Sequence, residues 1–532
     1  MISTRLEQRN NNFQKLPDYS KLLQRRDEGA VELRKKKRTE NALKKRALLS
    51  TEALEVSSTV IEGSREVMNV FYSPSLLQTC PALGSFDIPP NDKTLMIFNL
   101  IKQPQSPDIL KELMSLLRKI LSADQNPPLA EAVKSGVSNV LIELLRTASL
   151  DIRLEAAWCI TNLAYSPKET TDLLVEQGAA HALLENLDSD SLALVELCVW
   201  GLGNIASNSI EDRDLIIKLK GVKKLCRICD KNISMGLMAN IAWVISCLTM
   251  LKPSPNPELF YGVLDYLPML FQTNNEFIIE DSCKILVFLS DGSPGQIEEV
   301  VNTGLLPRIT ELLTYPVIDV QYSALKILGN VAAGNDSQTE YVISLGFLDK
   351  IGAMLTQKKK TEMRKEVLWT LSNILAGTLA QTKMIIGKPY FRDIVNLMKD
   401  PNLSIKKEAI WAVVNATYCK DADTILSLLQ FPVLEYLVDS FEIEDIKLHS
   451  VVISAIDNIL KAGEKKKENG RNIAAAKFEE LGGIDIFEEI LRRRGREGNP
   501  KLNKILEEFY GIGEENNEVE MMTDVPEHFM FT

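Results

Sequence analysis

"KEVLWTLSNILAG", Lys365–Gly377, and "KEAIWAVVNAT", Lys407–Thr417, carry the reading that decides the fold. In each, an asparagine follows a tryptophan by four residues: Asn373 after Trp369, Asn415 after Trp411. Residues four apart lie one turn apart on the same face of a helix. The two pairs are 42 residues apart. All five tryptophans, at 158, 200, 243, 369 and 411, obey that spacing, with successive gaps of 42, 43, 126 and 42. Asn162 follows Trp158 and Asn204 follows Trp200 by the same four residues, and Asn330 and Asn458 keep the register without a tryptophan.

A second column of glycines runs in parallel at Gly136, Gly178, Gly221, Gly304, Gly346 and Gly387. Each precedes an apolar stretch with helical spacing, such as "LIELL" or "ITELL". A period near 42 falls in the range of armadillo and HEAT repeats. Each unit reads as a short helix, a glycine-containing turn and two further helices, and no run alternates as a strand would. The expected fold is an all-α, right-handed superhelical solenoid of about ten armadillo repeats over 91–510, each unit burying its apolar face only against its neighbours.

A repeat array also accommodates the length, since 532 residues exceed one compact core. The chain has no apolar run of about 18 residues, so no transmembrane span is expected, and no secretory signal is expected from the polar, basic N-terminus. Of the eight cysteines, four sit in apolar helical patterns, where a free thiol behaves as a small hydrophobe. Cys226 and Cys229 form a CxxC without a second ligand pair, and the three histidines are scattered at 181, 449 and 528. Neither a metal nor a cofactor is expected. Enzymatic chemistry is not expected either: a phosphate-cradling glycine loop, a ligand cluster and a nucleophile elbow are all lacking.

Net charge is −11, yet residues 1–50 carry 14 Lys/Arg against six Asp/Glu, a net of +8 that leaves −19 for the rest. The densest segment is "RRDEGAVELRKKKRTENALKKR", Arg25–Arg46. Such asymmetry marks an interaction tail. It suits nucleic acid or anionic lipid, or an acidic protein surface, including this protein's own. The Trp/Asn columns also admit two readings. Tryptophan fills gaps between repeats while asparagine ties buried backbone; or the columns line a groove for an extended peptide. In the second reading, the amides hold the peptide main chain and the indoles form slots for Lys or Arg stems. Glu366 and Glu408, three residues before Trp369 and Trp411, Glu196, four before Trp200, and Asp291 and Asp336 at helix ends would select cations. The expected ligand is a Lys/Arg-rich peptide.

Together with "DSCKILVFLSDG", "LKILGN" and the basic N-terminus, these motifs make the chain resemble the importin-alpha family over almost its full length. The resemblance implies a nuclear import adaptor that shuttles between cytoplasm and nucleus and carries proteins bearing Lys/Arg-rich nuclear localisation signals. Residues 1–50 would be the importin-beta-binding domain, through Arg25, Arg26, Arg34, Lys35, Lys36, Lys37 and Arg38. Lys44, Lys45 and Arg46 resemble a localisation signal and would occupy the protein's own groove until importin-beta binds. Residues 51–90 would be a flexible linker and 511–532 an acidic disordered tail. The stretch 478–515 looks like the last repeat, which in the family helps bind the export receptor with its small GTPase. Contact with the nuclear pore would be indirect. Direct nucleic-acid binding and membrane insertion are not expected. An armadillo scaffold with lost or weakened signal binding is the alternative.

The family groove has two sites. For the minor site the resemblance implies Lys326, Asn330, Glu366, Trp369, Ser372, Asn373, Glu408, Trp411 and Asn415. For the major site it implies Trp158, Asn162, Thr171, Glu196, Trp200, Asn204, Asn208 and Trp243, with departures from the pattern. Cys247 replaces an asparagine, Ser166 a glycine, Leu197 a glutamine, and Asn208 the acid that receives the signal's key lysine. A lost charge-assisted contact is worth about 1.5–3 kcal/mol. Either the major site is weakened tenfold or more and binding leans on the minor site, or nearby acids compensate. In the central repeats Lys284 takes a tryptophan position and Phe288 an asparagine position. Two cations there, Lys284 and Lys326, are expected to repel basic residues.

Overall fold

Pro128, Gly136 and Ser149 punctuate the first full repeat. The short helix Leu129–Lys134 ends at a turn in which Gly136 adopts φ +81°, a left-handed conformation that costs a residue without Cβ little. The helix Val137–Thr147 follows, then a second break at Ser149, then the long helix Leu150–Leu163 carrying Trp158 and Asn162. The computed structural model describes residues 73–512, apart from 86, 124–125, 231, 356–359 and 495–499. The basic segment 1–50, most of the linker and the tail from 513 lie outside the described residues.

The chain divides into two compact units at Asn335/Asp336. In the first, the long helices Pro107–Leu121, Leu150–Leu163, Leu192–Ala206, Met235–Met250, Glu276–Ser290 and Ile318–Ala332 recur at the sequence period, each packed on the next. In the second, Thr361–Leu375, Leu403–Ala416 and Ile446–Lys465 do the same. Side chains of Ser191, Ser234, Asn275, Asn402 and Asp445 accept a backbone N–H at the start of their helices, satisfying donors the first turn leaves unpaired. Among the described residues there is no β-strand; Glu468 and Arg471 form one isolated bridge. The all-α repeat fold is as the periodicity predicts.

The long helices are apolar nearly all round because a neighbour covers them on each side. In Leu192–Ala206, Leu194, Val195, Cys198, Val199, Leu202 and Ile205 are all buried. Gly203 permits a close approach: a Cβ there would lie 2.1 Å from the Trp243 ring. The glycine column keeps the left-handed turn at Gly136, Gly178, Gly304 and Gly346 and departs from it twice. Gly387 closes its helix in right-handed conformation, at φ −73°. At the third turn Lys220, not Gly221, takes the left-handed position, at φ +60°. Gly221 is needed for space instead, since a Cβ would meet the Ile216 carbonyl oxygen at 2.8 Å.

Order begins earlier than the expected linker boundary at residue 90. Pro74–Thr79 is helical and Pro81–Gly84 forms a 3-10 turn. Leu76 and Leu83 are fully buried, and the Ser73 amide donates to Glu112 Oε1 at 2.9 Å. Two leucines with somewhere to pack suffice to fix a stretch whose prolines otherwise read as irregular.

Candidate functional site

The last turn of any helix leaves carbonyl oxygens without intrahelical donors. The asparagine column bonds to last-turn carbonyls across repeats, including that of Ser372, which also accepts the Ala376 N–H at 3.1 Å. Asn204 Nδ2 donates to the Thr161 carbonyl at 3.0 Å, Asn330 to Val287 at 3.4 Å, and Asn415 to Ser372 at 3.0 Å. Each acceptor lies in the final turn of the preceding long helix. Hydroxyls in the same places take further bonds: Ser122 from Asn162 at 2.8 Å, Ser290 from Asn330 at 3.0 Å, Ser372 from Asn415 at 2.9 Å and Thr417 from Asn458 at 3.3 Å. At Cys247 the polarity reverses, and the Ser207 hydroxyl faces its Sγ at 3.9 Å. Asn373 differs: its amide nitrogen is buried without a hydrogen-bond partner. The asparagines thus do tie backbone. Asn204 and Asn330 are nonetheless only half-buried.

The tryptophans stand on the same helix faces. Trp158, Trp243, Trp369 and Trp411 are half-buried, whereas Trp200 is 7% exposed. The Trp158 ring already carries a cation: the Arg118 guanidinium lies 5.0 Å from the ring centroid, held by Glu155 at 2.6 Å. Arg118 was not apparent from the sequence because its partner indole belongs to the next repeat. Glu196 accepts from Asn240 Nδ2 at 3.2 Å.

At the expected major site, Asn208 lies two residues beyond the Trp200 helix. Its Nδ2 donates to Asp172 Oδ1 at 2.8 Å and to Asp212 Oδ2 at 2.6 Å. The carboxylates missing from position 208 therefore sit one hydrogen bond away. Asp212 was findable, four residues on; Asp172 comes from the preceding repeat. Thr171 does not line a surface: it is fully buried and its hydroxyl donates to the Ser166 carbonyl at 3.2 Å, fastening the turn after Pro167.

The expected repulsion by Lys284 is overturned. Lys284 Nζ lies 2.9 Å from Glu280 and 2.7 Å from Asp281, so two carboxylates on its own helix outweigh its charge. Burial works against its proton, but Asp281 and Glu280 prevail and hold the ammonium above the ordinary lysine range. Phe288 packs edge-on against Phe260 at 5.2 Å. Lys326 lies 5.6 Å from the Tyr322 ring centroid, and Asn330 shares its helix in the first unit. In the second unit, Glu366, Trp369, Ser372 and Asn373 share one helix, and Glu408, Trp411 and Asn415 the adjacent one. Glu366 and Ser372 are buried; Glu408 is half-buried.

Cys226 and Cys229 occupy one helix, and burial pushes their thiols up to about 12 and about 11. Such thiols are protonated and unreactive at neutral pH. Six of the eight cysteines are buried, Cys80 and Cys419 being half-buried. At pH 8 a thiol-reactive dye should therefore titrate no more than two residues in the native protein and eight after denaturation. Rapid native labelling of Cys226 or Cys229 would contradict this packing.

A family model described as importin beta binding domain matches residues 9–79, and one described as armadillo/beta-catenin-like repeat matches 125–165 and 335–376. Importin subunit alpha-4 of Arabidopsis thaliana is 33% identical over 525 residues, which span 96% of this chain and 93% of that protein. Importin subunit alpha-1a of Oryza sativa subsp. japonica is 30% identical, with 96% and 93% covered. Among solved structures, that of an engineered protein aligns with a TM-score of 0.66 at 22% identity, covering 79% of this chain and 99% of that one, a likeness of fold alone.

Proposed function

The chain belongs to the importin-alpha family, and from that premise we propose that it is a nuclear import adaptor. It binds Lys/Arg-rich nuclear localisation signals along the Trp/Asn face and joins them to importin-beta through its N-terminal basic domain. It shuttles between cytoplasm and nucleus. The observation that carries the reading is the Arg118–Trp158 stack. It supports the proposed slot chemistry, because a guanidinium already lies on an indole of the column with an acid at its end. The same chemistry is available to a peptide cation at Trp243, Trp369 and Trp411, whose rings remain partly exposed. Asn204 and the flanking amides would hold its main chain.

The matched importin-beta-binding model extends over 9–79 and so takes in the whole basic stretch. We assign importin-beta contact to Arg25, Arg26, Arg34, Lys35, Lys36, Lys37 and Arg38, and self-occupation of the groove to Lys44, Lys45 and Arg46. An intramolecular copy competes at high effective concentration. Return to the cytoplasm would use the last repeat, 478–515, as the surface for the export receptor and its small GTPase.

Capture of the full chain on immobilised importin-beta tests the adaptor role. Alanine at the seven assigned basic positions should abolish capture, while Lys44→Ala, Lys45→Ala and Arg46→Ala together should leave most of it. Importin-beta should also raise the wild-type chain's affinity for a basic peptide to that of the triple variant. Lack of capture by the wild-type chain would contradict the assignment.

A further inference from the structure

The clearest departure from the family pattern is Asn208, and its surroundings show what replaces the lost acid. Both N–H donors of its amide are spent, one on Asp172 and one on Asp212. A carboxamide so committed has only its carbonyl oxygen left to offer. Asp212, 5% exposed, is enclosed behind it, whereas the Asp172 side chain is 38% exposed. The seat also holds a cation already. Lys168 Nζ reaches both carboxylate oxygens of Asp172, at 3.1 and 2.9 Å. Its ammonium is held above the ordinary lysine range, first by the hydrogen bond to Asp172, with Glu211 and Asp212 adding to the field. Two residues before Lys168, the buried Ser166 hydroxyl has no hydrogen-bond partner.

We propose that Asp172, backed by Asp212 and buttressed by Asn208, is the specificity-determining acid of the first-unit site, and that Lys168 is an internal stand-in displaced by the ligand's lysine. The proposal rests on the signal-binding reading above. The acid has moved from the end of the Trp200 helix to the short helix Lys168–Glu176 of the neighbouring repeat. Lys168 and Asp172 are an exposed pair on one helix turn, a kind of contact that is readily exchanged for another. A ligand ammonium gains the field of two carboxylates and an amide oxygen, and Lys168 swings into water.

The test uses the full chain with Lys44→Ala, Lys45→Ala and Arg46→Ala, so that its own basic segment does not compete. Trp369→Ala and Trp411→Ala are added to isolate the first unit. Anisotropy of a labelled Lys-Lys-Lys-Arg-Lys peptide is then read with Asp172→Asn and, separately, Lys168→Ala. Asp172→Asn should weaken binding roughly tenfold or more, the effect of losing a charge-assisted contact. Lys168→Ala should tighten it severalfold, a direction that damage to the fold would not produce. Equal binding by the Asp172→Asn protein, or weaker binding by Lys168→Ala, would overturn the proposal. So would absence of binding in the isolated first unit when the Lys44/Lys45/Arg46 variant alone binds; signal binding as such would then stand. Absence of binding even in that variant would sink both.

Discussion

Replacing Arg364 by alanine is expected to cost the second unit about 3–5 kcal/mol, the usual penalty for stranding one member of a buried ion pair. Arg364 and Asp400 are each 7% exposed. The guanidinium Nη2 lies 2.8 Å from Asp400 Oδ2, and Nε donates to the Leu355 carbonyl at 3.0 Å. The pair links the Trp369 helix to the turn that starts the next long helix, where Asp400 also accepts the Asn402 amide at 2.9 Å. Without Arg364 a carboxylate is left desolvated and its charge uncompensated. Urea unfolding followed by tryptophan fluorescence should show the loss. The double variant Arg364→Met, Asp400→Leu should recover much of it, since apolar residues of similar volume replace such pairs at small cost. A single variant as stable as wild type would mean that the pair is solvated in solution.

The second large effect falls on binding. Trp369→Ala with Trp411→Ala should weaken a basic peptide roughly thirtyfold or more, each indole contributing on the order of 1 kcal/mol as a cation–π face and further contact to the alkyl stems. Both rings are half-buried on adjacent helices, so each has surface to lose and a neighbour to keep the fold. Unchanged affinity would return the tryptophans to the gap-filling role that Trp243 partly has against Gly203.

Much of this architecture is written in the sequence because a repeat states each rule several times. A single Trp-x-x-x-Asn would have meant little; four on one period set helix, face and stacking. The charge of Lys284 was also legible in principle, since Glu280 and Asp281 stand four and three residues before it and so share its helix face. Spacing could not reveal contacts between repeats. The reach of Asn208 to Asp172, of Arg118 over Trp158 and of Asn204 to the Thr161 carbonyl each joins residues 36–43 apart, and depends on how adjacent helices stagger. The docking of Leu76 and Leu83 was hidden for the same reason: burial is a property of the partner surface. Asn208 therefore read as the loss of an acid, and in the folded chain its amide stands between two.

The most direct test of the central claim is anisotropy of the labelled Lys-Lys-Lys-Arg-Lys peptide against the full chain with and without Lys44→Ala, Lys45→Ala and Arg46→Ala. The account predicts weak binding by the wild-type chain and at least tenfold tighter binding by the triple variant, the gain expected when a tethered competitor is removed. That binding should be lost when Trp158, Trp369 and Trp411 are also replaced by alanine. No binding by the triple variant, or binding indifferent to the tryptophans, would contradict it and leave a repeat scaffold that keeps the family's shape without its groove chemistry.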